Sequence, residues 1–128
     1  MDIRRVGAAP SQHPTEHFTG HVRMDPLAPA EAGVTMLHVH FDPGARTHWH
    51  THPEGQVLFV TQGVGRCQSE GGPVQTIRPG DVVRFAPGER HWHGAGPETG
   101  MSHVAVQPKV DGRTADWEGP VSDGDYAG

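Results

Sequence analysis

The chain has one cysteine, one tyrosine and no apolar run long enough for a signal peptide or a membrane span. Each shortage excludes something. With Cys67 alone, no intrachain disulfide can form, which suits a reducing compartment, and the expected location is the cytoplasm. The N-terminus, Met1-Asp2-Ile3-Arg4-Arg5, runs into polar, Pro- and Gly-rich sequence, so no membrane partner is expected. Lysine and arginine never form a block and the net charge is -5 with histidines neutral, so nucleic acid is not expected either. No Gly-rich phosphate loop occurs, because the glycines stand singly at turns. No Gly-x-Ser-x-Gly element or Ser/His/Asp order suggests a hydrolase. Internal repeats and long amphipathic helices are missing too.

What the chain does have is turn residues and histidine. Its 128 residues include 18 glycines and 12 prolines, spread between short apolar runs. That pattern predicts many short strands in one domain large enough to bury a core without staples. Residues 1–17 read as an N-terminal arm, 18–108 as a β-barrel, and 109–128 as a polar tail packed on the barrel and anchored by Trp117. Strands are expected at 18–24, 34–41, 46–52, 56–61, 64–69, 74–77, 82–85, 91–93 and 101–107. Alternation in the second places Leu37, Val39 and Phe41 inward and His38 and His40 outward. The run Gln-Val-Leu-Phe-Val-Thr at 56–61 reads as a strand buried on both faces. About nine short strands imply an all-β sandwich or barrel, most simply a jelly roll.

Eleven histidines is a large share, and two clusters have ligand spacing. In His50-Thr51-His52 the imidazoles at i and i+2 of a strand share a face and can grip one ion side by side. Gln56 would close on it from the following turn and His91, in His91-Trp92-His93, from a distant strand. Three imidazoles and an amide oxygen make a neutral set suited to Mn, Fe, Co or Ni, with Zn competing. A divalent ion so held keeps its full charge for an anion or a developing oxyanion. His93 shares the face of His91, and His103 falls inward with Ala105 and Gln107. Each reads as a general acid/base or as a satisfied core histidine. His48 is on the ligand face and reads either as a neighbour of the ligands or as rim packing. Trp49 and Trp92 alternate with ligands and should point away from the ion. Arg46 and Arg84 read as structural or interfacial, Cys67 as inert. His13, His17 and His21 show no ligand spacing and are expected to face solvent.

At these residues the chain resembles the cupin superfamily. Gly44, His50, His52, Gln56 and Gly63 fall on the first cupin motif, with glutamine where glutamate is usual. Gly80, Pro87-Gly88 and His91 resemble the second motif, without its usual asparagine. Within the superfamily the chain is similar to the small single-domain bacterial group that includes manganese-dependent hydroxynitrile lyases and carries the same glutamine. The shared stretches run from about residue 3 to about residue 126. They include Phe18-Thr19-Gly20, Pro43-Gly44-Ala45-Arg46-Thr47, His50-Thr51-His52-Pro53, Pro79-Gly80-Asp81-Val82-Val83 and His91-Trp92-His93-Gly94. Leu37 stands where those lyases have a small pocket residue and His48 where they have alanine. Val39 and Gln107 belong with them as candidate pocket residues.

The resemblance implies one manganese ion per chain and a metal-dependent lyase that splits a cyanohydrin, or a related hydroxy or carbonyl compound, with His93 and His103 moving protons. Two rival readings use the same ligands: an Fe- or Mn-dependent dioxygenase, and a non-enzymatic small-ligand-binding cupin. The expected partners are a small-molecule substrate and a second or further copies of the chain, as a homodimer or homotetramer formed across exposed sheet edges.

Overall fold

A computed structural model describes all 128 residues. In chain order the strands are β1 (Phe18–Thr19), β2 (Val22–Pro26), β3 (Val34–Phe41), β4 (Arg46–Thr47), β5 (His50–Thr51) and β6 (Gln56–Gly63). They continue as β7 (Gly65–Ser69), β8 (Gln75–Ile77), β9 (Val82–Phe85), β10 (His91–Ala95), β11 (Met101–Pro108) and β12 (Asp116–Trp117). A five-residue helix, α1 (Asp123–Ala127), ends the chain, capped by the Ser122 hydroxyl accepting from the Asp125 N–H. No helix is long and apolar enough to cross a membrane.

The strands form two antiparallel sheets closed into a jelly-roll barrel. One has the order β2-β3-β11-β6-β9. In the other, β10 is central: β7 and then β8 lie on one side, while β4 and β5 share its other side and carry β1 and β12 beyond them. Between the sheets lies an apolar core that includes Val22, Val39, Phe41, Leu58, Val60, Phe85 and Met101, all below 5 % exposed. A second cluster of Trp49, Trp92, Val121 and Tyr126 lies behind β10 under the tail. Arg46 fastens this cover. Its guanidinium donates to the Val121 carbonyl at 2.9 Å, pairs with Asp123 at 2.9 Å and stacks 4.3 Å from the Tyr126 ring centroid. The Tyr126 hydroxyl in turn donates to the Ala95 carbonyl at 2.7 Å. β10 is thereby buried on both faces, histidines toward the barrel and Trp92 toward the tail.

Three local expectations need correction. The stretch 18–24 is not one strand: it breaks at Gly20, whose φ is 81° and where a Cβ would come within 2.9 Å of Ala45. The chain passes there from one sheet to the other. The strand expected over 46–52 is two pieces. At the break the His48 N–H donates to the His17 carbonyl and the Trp49 N–H to the Gly119 carbonyl, so the arm and the tail replace the ladder. The strand at 56–61 is not buried on both faces, because Val57 and Phe59 are 40 % and 48 % exposed while Leu58 and Val60 are fully buried. Apolar character alone had suggested two covered faces, and this chain covers only one.

Candidate metal centre

The inward side chains of the two sheets enclose a cavity of about 500 Å³. β5 and the turn after it contribute His50 and His52, the start of β6 gives Gln56, and β10 gives His93. His103 and Gln107 come from β11, Leu37 and Val39 from β3. His91 lies just behind this wall, fully buried and stacked on Phe85 at 3.6 Å between centroids with the planes 12° apart. His48 does not line the cavity. It acts through its backbone, and its half-buried ring lies edge-on to His17.

The hydrogen bonds fix the tautomers. His50 Nδ1–H donates to the His48 carbonyl at 2.9 Å, His91 Nδ1–H to the Glu89 carbonyl at 2.8 Å, and His52 Nδ1–H to the Thr114 carbonyl. A carbonyl only accepts, so in each neutral ring Nε2 is left as a bare lone pair aimed inward. Gln56 is oriented in the same sense. Its Nε2–H donates to Gln107 Oε1 at 3.1 Å, which leaves Gln56 Oε1 facing His91 Nε2 at 3.0 Å. Two acceptors at that distance repel unless a proton or a cation lies between them. Burial, the chief cause, holds His91 at about 4, so near neutral pH the ring carries no second proton. His52 Nε2 is likewise buried and without any partner. Ring nitrogens of His50, His91 and His93 fall within 4.8 Å of one another. An array of inward lone pairs with no donor between them is what a divalent cation satisfies, and these residues fit one.

His93 is held differently. Its Nδ1 shares a hydrogen bond of 2.9 Å with His103 Nε2 rather than with a carbonyl. His93 Nε2 and His103 Nδ1 have no partners. Burial first, and then the neighbouring imidazole, holds His93 well below the usual histidine range, and burial brings His103 to about 3. His50 is also held well below that range by burial and by His91, and His52 is lowered by burial. The result is a continuous line of neutral rings from the ligand cluster to β11. Phe41 packs on both members of the pair.

The roof of the cavity comes from both chain termini and was not anticipated. His13 to His17 of the arm, Phe18 at the start of β1, and Thr114, Ala115 and Trp117 of the tail line it. Trp117 lies between His17 (4.7 Å, planes 8° apart) and His50 (4.5 Å, 34° apart). His17 holds a left-handed backbone, φ 71°, unusual for a residue with a side chain. His13 and His17 are exposed as expected, yet both border the cavity. Nothing in their spacing marked them. Trp49 and Trp92 do point away from the ligands, into the cluster under the tail. Cys67 is buried, its thiol pushed up to about 11 by burial, and it has no part in the site.

The Cupin domain model matches residues 37–106, which span every strand that carries a ligand-type side chain. The chain is a cupin. The (R)-mandelonitrile lyase of Granulicella tundricola is 55 % identical over 129 residues, covering 98 % of both chains. Among solved structures, a cupin-like protein of Thermotoga maritima superposes with a TM-score of 0.85 at 38 % identity, over 98 % of this chain and 95 % of that one. A predicted oxalate decarboxylase of the same organism shares the fold at 22 % identity and a TM-score of 0.73, over 82 % and 96 %. The cupin framework explains two glycines. Gly63, which closes the first motif, has φ 77°, and a Cβ there would come within 1.8 Å of the Gly100 carbonyl oxygen. Gly94, next to His93, lets β10 approach Arg46 so closely that a Cβ would come within 2.4 Å of the Ala45 carbonyl oxygen.

Proposed function

We propose that this cupin is a metal-dependent carbon–carbon lyase that splits a cyanohydrin into an aldehyde or ketone and hydrogen cyanide. The observation that carries the reading is the His91–Gln56 confrontation at 3.0 Å, two acceptors held face to face with no donor between them. It supports a cation at that point, with His50, His52, His91 and Gln56 as its ligands. The 55 % identity to a mandelonitrile lyase supports the reaction class. Manganese is the ion the resemblance favours. The neutral ligand set suits it, as it suits iron, cobalt and nickel.

A divalent ion bound there supplies Lewis acidity, lowering the pKa of a substrate hydroxyl and stabilising negative charge on its oxygen. The protein moves the proton. With His93 Nδ1–H donating to His103 Nε2, the His93 Nε2 lone pair is free to take the hydroxyl proton. As the C–CN bond breaks, its electron pair leaves with cyanide and the carbonyl double bond forms. The imidazolium of His93, steadied by His103, then returns the proton to cyanide. Leu37, Val39 and Phe41 form the apolar wall for the rest of the substrate and keep bulk water from the departing cyanide. Residues 18–108 form the catalytic barrel in this reading, with arm 1–17 and tail 109–128 closing the cavity. The one buried thiol, Cys67, is in keeping with a cytoplasmic setting.

The test is aldehyde release from racemic mandelonitrile by manganese-loaded and metal-stripped protein near pH 5, where His91 and His103, at about 4 and about 3, are still neutral. Release is expected to follow metal content. His93→Ala and His103→Ala are expected to abolish it while retaining one equivalent of metal. A protein that holds its metal and releases no aldehyde refutes the lyase reading. Substrate-dependent oxygen uptake would replace it with a dioxygenase.

A further inference from the structure

The cavity is larger than mandelonitrile requires, and the surplus lies in one direction. Its volume of about 500 Å³ holds about 17 non-hydrogen atoms, at about 30 Å³ for each, the share of one water in the liquid. Mandelonitrile has about 10 such atoms and would fill little more than half of it. Register shows where the surplus runs. His103, Val39 and Met24 stand side by side on β11, β3 and β2, and Ala105 and Leu37 pair in the next inward row. Cross-strand partners share a face, so this floor runs two strand spacings, about 10 Å, from the proton-moving pair to the edge of the sheet. The far end is closed. The backbones of Gln12 and Met24 exchange two hydrogen bonds, of 2.7 and 2.8 Å, which hold the arm against that edge. Phe18 reaches the cavity from the opposite sheet, its ring 6.3 Å from that of Phe41.

Resting on the lyase reading, we infer that the substrate is a neutral cyanohydrin whose carbon carries an apolar group about two rings long. The lining sets its character. The imidazoles and the two carboxamides gather at one end, on β5, β6, β10 and β11. From Val39 outward the floor is aliphatic and ends on the thioether of Met24. A thioether and the ring of Phe18 both make favourable contacts with an aromatic partner, sulfur at the ring edge and ring against ring. No lysine or arginine lines the cavity, and its one carboxylate, Glu16, belongs to the exposed arm. A carboxylate or phosphate at the far end of the substrate would lose its water with no side-chain cation to meet it.

A single ring, filling about half of the space, leaves apolar wall uncovered; a second covers it and anchors the substrate at a distance from the reacting carbon. The gain is measurable. Burying about 100 Å² of further apolar surface tightens binding about fiftyfold. Part of that gain fixes the carbinol hydroxyl beside His93. It is therefore divided between KM and kcat, and kcat/KM records the whole.

The test compares cleavage of racemic 3-phenoxymandelonitrile, which has about 17 non-hydrogen atoms, with that of mandelonitrile by the manganese-loaded full chain. The larger substrate is expected to show a kcat/KM at least about tenfold higher. Met24→Trp fills the far end, and the bonds to Gln12 are made by backbone atoms that the substitution keeps. It is expected to lower the ratio of the two kcat/KM values at least about tenfold, with the circular dichroism of the wild type. An equal or higher kcat/KM for mandelonitrile in the wild type overturns the inference, and so does a folded Met24→Trp chain with an unchanged ratio. A 4-carboxymandelonitrile cleaved as fast as mandelonitrile overturns the neutral character. Binding separates all this from the lyase reading. In titration calorimetry 3-phenoxybenzyl alcohol is expected to bind about fiftyfold more tightly than benzyl alcohol, whether or not any cyanohydrin is split. If none is split and the larger alcohol still binds more tightly, the reaction falls and the two-ring site stands. Equal affinities for the two alcohols remove the two-ring group even where mandelonitrile is cleaved.

Discussion

Replacing Gln56 with glutamate tests the electrostatic logic of the site most directly. The substitution keeps the length and one ligating oxygen, adds a full negative charge and removes the N–H that Gln107 accepts at 3.1 Å. Three imidazoles and an amide leave a divalent ion its whole charge, whereas a carboxylate halves it. Negative charge developing about 4 Å from the added charge loses about 4 kcal/mol at an effective dielectric constant of 20. That corresponds to a rate loss of about a thousandfold. Rotation of the Gln107 amide, presenting its own N–H₂ to the new carboxylate, and partial solvation reduce the effect, so a fall of about 10² to 10³ in kcat is expected. Metal affinity should move the opposite way, because the carboxylate attracts the cation. Metal retained after dialysis, measured beside mandelonitrile cleavage, separates the two effects. A Gln56→Glu variant with tighter metal and undiminished kcat would refute the idea that a neutral ligand set serves to stabilise a developing anion.

Acid should unfold the protein cooperatively below about pH 5, because His91, at about 4, and His103, at about 3, resist a proton that the unfolded chain accepts near 6.5. The sign follows from linkage. Above 6.5 both states bind no proton and stability is at its plateau; below it each such group withdraws about 1.4 kcal/mol per pH unit until its folded pKa is reached. Urea denaturation at pH 7 and pH 5 checks this, and a higher midpoint at pH 5 would contradict it. Trp117→Ala removes the ring stacked on His50 and is expected to weaken manganese binding about tenfold, the usual scale for losing a group that orients a ligand. Its Tm should change little, since Trp117 lies outside both core clusters, and an affinity within twofold of the wild type in a metal titration would show that the ring does not orient His50.

Much of the barrel was legible because one face of each long strand is buried. β3 alternates, and so does β11 from His103 onward, past a shift of register against β6 at Ser102/His103; a one-residue slip there would turn His103 and Gln107 out of the cavity. The ligand-type residues were legible because His50 and His52, and His91 and His93, are two apart on extended chain, a local fact that survives any tertiary arrangement. Their anchors were not. Thr114 contributes a backbone carbonyl, which no side-chain pattern can announce, and Trp117 meets His50 through a pairing of two-residue strands. The interruption at His48–Trp49 was hidden for a related reason: its backbone partners, His17 and Gly119, lie in segments with little core-forming pattern. The outer face of β6 was misread because an apolar side chain signals that it will be covered, not what covers it. Val57 and Phe59 mark a surface that a single chain leaves open.

The pairing of β12 with β5 has a kinetic consequence. β12 is two residues long and lies at the margin of its sheet, with only Asp116 and Trp117 set against Thr51 and His50. The neighbouring Thr114 carbonyl holds the ring of His52. Peeling that short strand away costs far less than opening the barrel, yet it frees one imidazole to swing and uncovers the ring of another. An ion seated there would then exchange on the timescale of a fraying strand. The closing segment is also made late: on a chain synthesised from its N-terminus, His50, His52, Gln56 and His91 are all present before the residues that hold two of them still. A nascent barrel would therefore sample metals loosely and commit to one only when the tail docks.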